Sequence, residues 1–211
     1  MPLPDKTVID PDTQWLKRGQ FNLLRWFSLG SFLIIAAVAM GLGYISTRFL
    51  VEESIERDSI LTAQFIQAIG AAEIRHASIT SGRTMGEMLD PRQDKAYPDV
   101  APETRATARI EFLDHVEHLP DLLLATVYAH DRTVVWSTNP ELIGVRIEND
   151  DELDQSFDMK EAVSTSYHEI DDERPEQRLL HEPDYLFVEN YIPMFNADKS
   201  HVIAMVEIYK E

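Results

Sequence analysis

Cysteine is absent from the 211 residues, which removes disulfides and thiolate metal sites and leaves the compartment open, oxidising ones included. Basic side chains are scarce, 19 Lys and Arg against 37 Asp and Glu, for a net charge of −18. That balance argues against nucleic acid, whose phosphates need Lys and Arg, and against lying flat on anionic lipid unless divalent cations bridge the two. No Walker lysine, nucleophile elbow, HExxH motif or glycine-rich nucleotide box occurs, so the chain is read as non-catalytic, with no cofactor. There is no internal repeat and no low-complexity tract.

One further absence organises the chain. Trp26 to Thr47 contains no Asp, Glu, Lys or Arg across 22 residues, and as a helix it reaches about 33 Å, enough to cross a hydrocarbon core. The small-x-small run Ala37-Val38-Ala39 resembles a signal-peptide cleavage site, but apolar residues continue through Leu42 and Ile45, and an uncleaved anchor is the preferred reading. Lys17, Arg18 and Arg25 precede the segment while Arg48 and Arg57 follow it, which places the N-terminus in the cytoplasm. The arm, residues 1–25, carries +1 and has the composition of a disordered tail; from Arg48 onward 15 basic side chains face 34 acidic ones. Residues 48–211 are long enough for one domain with a core of its own.

Residues 48–89 lack proline and show apolar or small residues at Leu61, Phe65, Ile69 and Ala72, a pattern that predicts one long helix continuous with the anchor. Asp90-Pro91, Pro98 and Pro102 break it into a loop. A second helix is expected from about Glu103 to His118, with Ile110, Leu113 and Val116 buried and Pro120 as its stop. Within 122–211, LLLATVYAH and TVVWST flank the reversal His130-Asp131-Arg132 as a hairpin, a short helix is expected from Glu152 to about Ser164, and SYHEID, DYLFVENYIPMF and HVIAMVEIY read as three more strands. The order predicts an α+β fold with a five-stranded antiparallel sheet and helices on one face.

Trp136-Ser137-Thr138 followed by Pro140, Leu142, Ile143 and Gly144, together with the terminal Val206-Glu207-Ile208-Tyr209 and the long helix after a membrane segment, resembles the PAS-like extracytoplasmic sensor domain, also called PDC or Cache, of bacterial transmembrane receptors. The resemblance covers about Arg48 to Glu211. It implies the sensing part of a receptor, most like a sensor histidine kinase, in a bacterial inner membrane with its C-terminal domain in the periplasm. It further implies a homodimer along the long helix and a small-molecule or ion ligand held between sheet and connecting segment. In relatives a second membrane helix and an output module follow the last strand, so the 211 residues read either as a receptor without its transmitter or as the N-terminal piece of a longer one. His168-Glu169-Ile170 and His181-Glu182-Pro183 superficially resemble a phospho-acceptor histidine, but neither sits in a helical-hairpin pattern.

Three constellations are candidates for a site. Alternation along DYLFVENYI puts Tyr185, Phe187, Glu189 and Tyr191 on one side; Tyr128, Trp136 and Tyr167 or His168 join such a face, with Arg146 in the following connection, or else these aromatics simply fill the core. Glu148, Asp150, Asp151, Glu152, Asp154 and Asp158 form an acid cluster suited to hard cations, with Asp150, Asp151 and Asp154 as the ligand candidates, although it lacks a DxDxDG loop and equally reads as a solvated surface. Glu111, His115 and His118 share a helical face at zinc-like spacing, a pattern also common by chance. A sensor of small molecules or ions is thus expected; the alternatives are a ligand-free membrane-anchored adaptor for a protein partner, a divalent-cation sensor, or a zinc enzyme.

Overall fold

The computed structural model describes residues 23–80, 82–148, 150–160, 162–167, 170, 174, 177 and 187–211. The chain divides into two compact units, Met1–Val51 and Glu52–Glu211. In the first, the described residues belong to helix α1 (Leu23–His76), whose most apolar 18-residue window has mean hydropathy 2.0 and no buried residue. By length and composition this helix can cross a membrane once.

α1 ends at His76, short of the expected 89. Ser78 takes a left-handed conformation (φ 56), the Ile79 N–H donates to the Ile74 carbonyl and the Ser78 N–H to that of Arg75. This is a Schellman stop, and its usual apolar contact is supplied by Ile74 and Ile79, which share one core. The helix resumes only as the short α2 (Gly86–Leu89), followed by a 3₁₀ turn at Pro91–Ala96 and by α3 (Pro102–Glu117), which starts on a proline whose missing N–H costs nothing in a first turn.

The second unit is built on a sheet of β1 (Leu122–Ala129), β2 (Val134–Ser137), β3 (Val163–Tyr167), β4 (Phe187–Phe195) and β5 (Val202–Lys210), in the antiparallel order β2-β1-β5-β4-β3. Four of these strands are described to their side chains and β3 as backbone. In the β1–β2 turn Arg132 adopts φ 64 and Asp131 accepts the Thr133 N–H, so the predicted reversal closes as an Asx-type turn. Helix α4 (Asp151–Met159) is capped by the Asp150 side chain on the Leu153 N–H and closes at Lys160 (φ 60), before the expected Ser164.

Helices cover both sides of the sheet, not one. Ile66 of α1, Met88 of α2 and Phe112 of α3 pack with Val127, Ile192, Val206 and Ile208; Leu153 and Phe157 of α4 pack with Tyr128, Phe187, Tyr191 and Tyr209 on the other side. Period-2 alternation along β4 and β5 divides these sets.

On α3 the buried stripe differs from expectation at Ile110, and on α1 the apolar residues divide between a buried and an exposed side. α1 buries Ser59, Thr62, Ala63, Ile66, Gly70, Glu73 and Ile74, leaving Leu61 54% and Phe65 53% exposed. On α3, Phe112 is buried with Arg105, Ala108, Leu113 and Val116, and Ile110 is 65% exposed. On α1 small residues, Ser59, Ala63 and Gly70, are among those buried and let the helix approach closely, whereas α3 buries mainly large side chains. Backbone also comes close at Gly86, where an added Cβ would lie 3.0 Å from the Phe195 carbonyl oxygen and 3.1 Å from the Met194 carbonyl carbon. Because both neighbours are backbone, Gly86→Ala is expected to lower stability by about 1–3 kcal/mol, read from denaturant melts of the full chain.

Candidate functional site

The sheet side covered by α4 carries buried polar chemistry. Glu189 and Glu207 are fully buried, and Asp150 nearly so. An isolated buried carboxylate is costly, and each here is met by donors. Glu189 accepts from Tyr191 Oη at 2.7 Å, from Tyr209 Oη at 2.5 Å and from Arg174 Nη1 at 3.0 and 3.2 Å. Glu207 accepts from Tyr128 Oη at 2.7 Å. Arg174 also donates to Glu152 at 2.6 Å and stands 3.8 Å from Asp150.

Tyr191 Oη lies 2.7 Å from both Asp150 Oδ2 and Glu189 Oε1, yet a phenol has a single proton to donate. Two ionised carboxylates would compete for it. Burial, opposed in part by the Leu153 N–H, pushes the Asp150 carboxyl above its ordinary value, and burial likewise raises the Tyr191 phenol. Whichever carboxylate the Tyr191 proton serves, the other keeps its own donors, the Leu153 N–H on Asp150 and Tyr209 and Arg174 on Glu189. No nucleophile–base pair occurs in this set. The set is an internal network of three phenolic hydroxyls, clustered carboxylates and the Arg174 guanidinium.

Of the sequence candidates, Tyr128, Tyr191 and Asp150 meet in this network. Trp136 does not: β2 pairs it with Val127, so it packs on the α1–α3 side. Arg146 is exposed, its closest carboxylate contact being Glu148 at 3.9 Å. His168, Tyr185 and the His181 motif lie outside the described residues.

The acid cluster is divided among separate roles, Asp150 capping α4, Asp154 bonded to Arg132, Glu152 to Arg174, and Asp151 exposed. On α3, His115 faces Glu73 of α1 at 3.3 Å while His118 turns to Asp114 of its own helix. Among the described residues no group of three or more His, Asp or Glu is placed to hold a metal ion. Sequence reasoning missed Arg174 and the inward turn of Glu207. The one available signal was an arginine within the acidic run DDERPEQ.

No protein-family model matches the chain, and no curated protein matches it. Among solved structures it is similar to a sensory box sensor histidine kinase from Vibrio cholerae, with 13% identity and a TM-score of 0.34 over 51% of this chain and 94% of that one.

The raised Asp150 carboxyl gives a signed pH dependence. A folded-state pKa raised above the ordinary 3.8 contributes stability that is full below that value and lost as pH rises through the raised one. Asp150→Asn mimics the protonated acid, donating to Tyr191 and still accepting from Leu153. The wild type is therefore expected to lose stability relative to this variant as pH climbs above about 4, in urea melts taken at several pH values. Tyr191→Phe removes the shared donor and is expected to cost about 1.5–3 kcal/mol in the same melts.

Proposed function

We propose that the chain is the signal-sensing portion of a membrane receptor of the sensor histidine kinase type, with its N-terminus in the cytoplasm and residues 48–211 outside a bacterial inner membrane. The observation that carries this reading is α1, one helix holding both an apolar run of membrane length and the stripe Ser59–Ile74 that is buried in the α+β unit. A small molecule or ion binds at the sheet side around Tyr128 and Tyr191 and favours one arrangement of that side over another, shifting the population. α1 passes the shift to the membrane segment as a small rotation or piston. In this reading the chain senses, and catalysis belongs to the output module it serves. Leu61 and Phe65, four apart and exposed, support pairing of two copies along α1.

A second reading has its own support. Tyr128, Tyr191 and Tyr209 are buried with their hydroxyls already bonded, as expected of a filled core in an adaptor that holds a partner protein and no ligand.

Melting of the full chain in lipid nanodiscs against Mg²⁺, Ca²⁺, small amines and amino acids separates the two. A ligand at a hundredfold excess over its Kd is expected to add about 2.7 kcal/mol of stability, and Tyr191→Phe to abolish the gain. No shift with any compound selects the adaptor. Since the chain has no cysteine, Leu61→Cys introduces the sole thiol. Its oxidation is expected to yield a covalent dimer, at a rate the active ligand changes; failure to cross-link removes the pairing.

A further inference from the structure

On the opposite side of the sheet, a groove of about 530 Å³ runs between the last turns of α1, the described residues 79–80 and 82–86, and the end of β4. That volume lies in the range of sites for small molecules. Its floor is apolar, with Ile74, Met85 and Met194, all buried in the core on this side. Its wall includes Arg75, on the last turn of α1, and Lys199, in the β4–β5 turn, and no lining residue is a carboxylate.

In a chain of net charge −18, that is an unusual place for cations to gather without acids. A third cation in the wall, Arg83, is already matched by Asp99 at 3.0 Å and Glu87 at 3.4 Å. Arg75 and Lys199 make no ion pair among the described residues. Acids close to them in sequence are engaged: Glu73 with His115 and His76, Asp198 with the Ser200 N–H and hydroxyl. Nor is Lys199 on a loose tether. It sits at φ 59 in a turn closed by its own N–H on the Asn196 carbonyl and by the His201 N–H on the Asn196 side chain.

We propose that this groove binds a small organic carboxylate, with the carboxylate on Arg75 and Lys199 and the hydrocarbon body on Ile74, Met85 and Met194. A guanidinium fork fits a carboxylate in two-point contact, and the ammonium adds a second charge-assisted donor. The apolar floor adds affinity in proportion to the hydrocarbon area removed from water. Inorganic phosphate lacks a body for the floor, and an alkylamine of the same length meets two like charges. Such a ligand spans the end of α1 and the β4–β5 turn, on the side of the sheet away from Tyr191, so the site stands apart from the one proposed above.

The test is equilibrium dialysis of hexanoate against the full chain in nanodiscs, with empty nanodiscs as the blank. Saturable binding of one hexanoate per chain is expected, with no binding of hexylamine and no competition by inorganic phosphate. Both cationic side chains are exposed. The double variant Arg75→Gln, Lys199→Gln is therefore expected to keep the wild-type melting curve while its affinity falls by about tenfold or more. Absence of saturable hexanoate binding, unchanged affinity in the double variant, or equal competition by phosphate would each overturn the proposal.

Discussion

The fully buried carboxylate of Glu189 is the constraint on which one half of this structure depends. A charge held at the centre of a sheet must be surrounded by donors, and β4 and β5 provide them at fixed register: Tyr191 two residues along the same strand, and Tyr209 directly opposite on the neighbouring strand. Arg174 supplies the opposite charge from outside the sheet and also holds Glu152 of α4. Asp150 is drawn in by Tyr191 and caps the same helix. The placement of α4 thus follows from meeting one buried charge, with apolar packing of Leu153 and Phe157 added to it. A buried ionic set of this kind specifies an arrangement more than it stabilises one, because desolvation offsets much of the Coulomb attraction.

The other half obeys a different rule. Between α1, α2, α3 and the sheet the contacts are mainly apolar, and approach is closest at small residues: Gly70, where a Cβ would stand 3.0 Å from that of Met85, and Gly86 against the backbone of β4. Ser59, Thr62 and Ala63 continue the same narrow face of α1. One side of the sheet is therefore specified by donors and acceptors, the other by the absence of side-chain bulk.

That division explains which features could be read from the sequence. The apolar membrane-length run, the β1–β2 reversal and the strands carrying VENYIPMF and VIAMVEIY were legible, since each rests on local chemistry: missing charge, turn residues and period-2 alternation. The shared side of Tyr128 and Tyr191 was legible for the same reason, since it follows from alternation along the strands. Other features rest on contacts distant in sequence. The buried stripe of α1 was not read, because hydrophobicity points to Leu61 and Phe65, whereas close packing selects Thr62, Ala63 and Ile66. Trp136 was assigned to the wrong side because its direction depends on pairing with Val127, a register that the hairpin's irregularity between Val127 and Tyr128 conceals. Arg146 was named for its place after the second strand and Arg174 was not considered, yet a buried acid recruits whichever guanidinium can reach it.

The two halves are joined by strands whose residues alternate between them. On β4, Glu189 and Tyr191 belong to the polar network, while Ile192 and Met194 pack in the core that contains Ile66 of α1; on β5, Glu207 and Tyr209 alternate with Val206 and Ile208. Interiors are close-packed, and an added Cβ at Gly70 or Gly86 would stand only 3.0 Å from its nearest neighbour, so the α1 side has little spare volume. Tyr191 and Ile192 are adjacent on one strand and face opposite sides of the sheet, so a displacement of Tyr191 by substitution is carried by the backbone into the packing of Ile192.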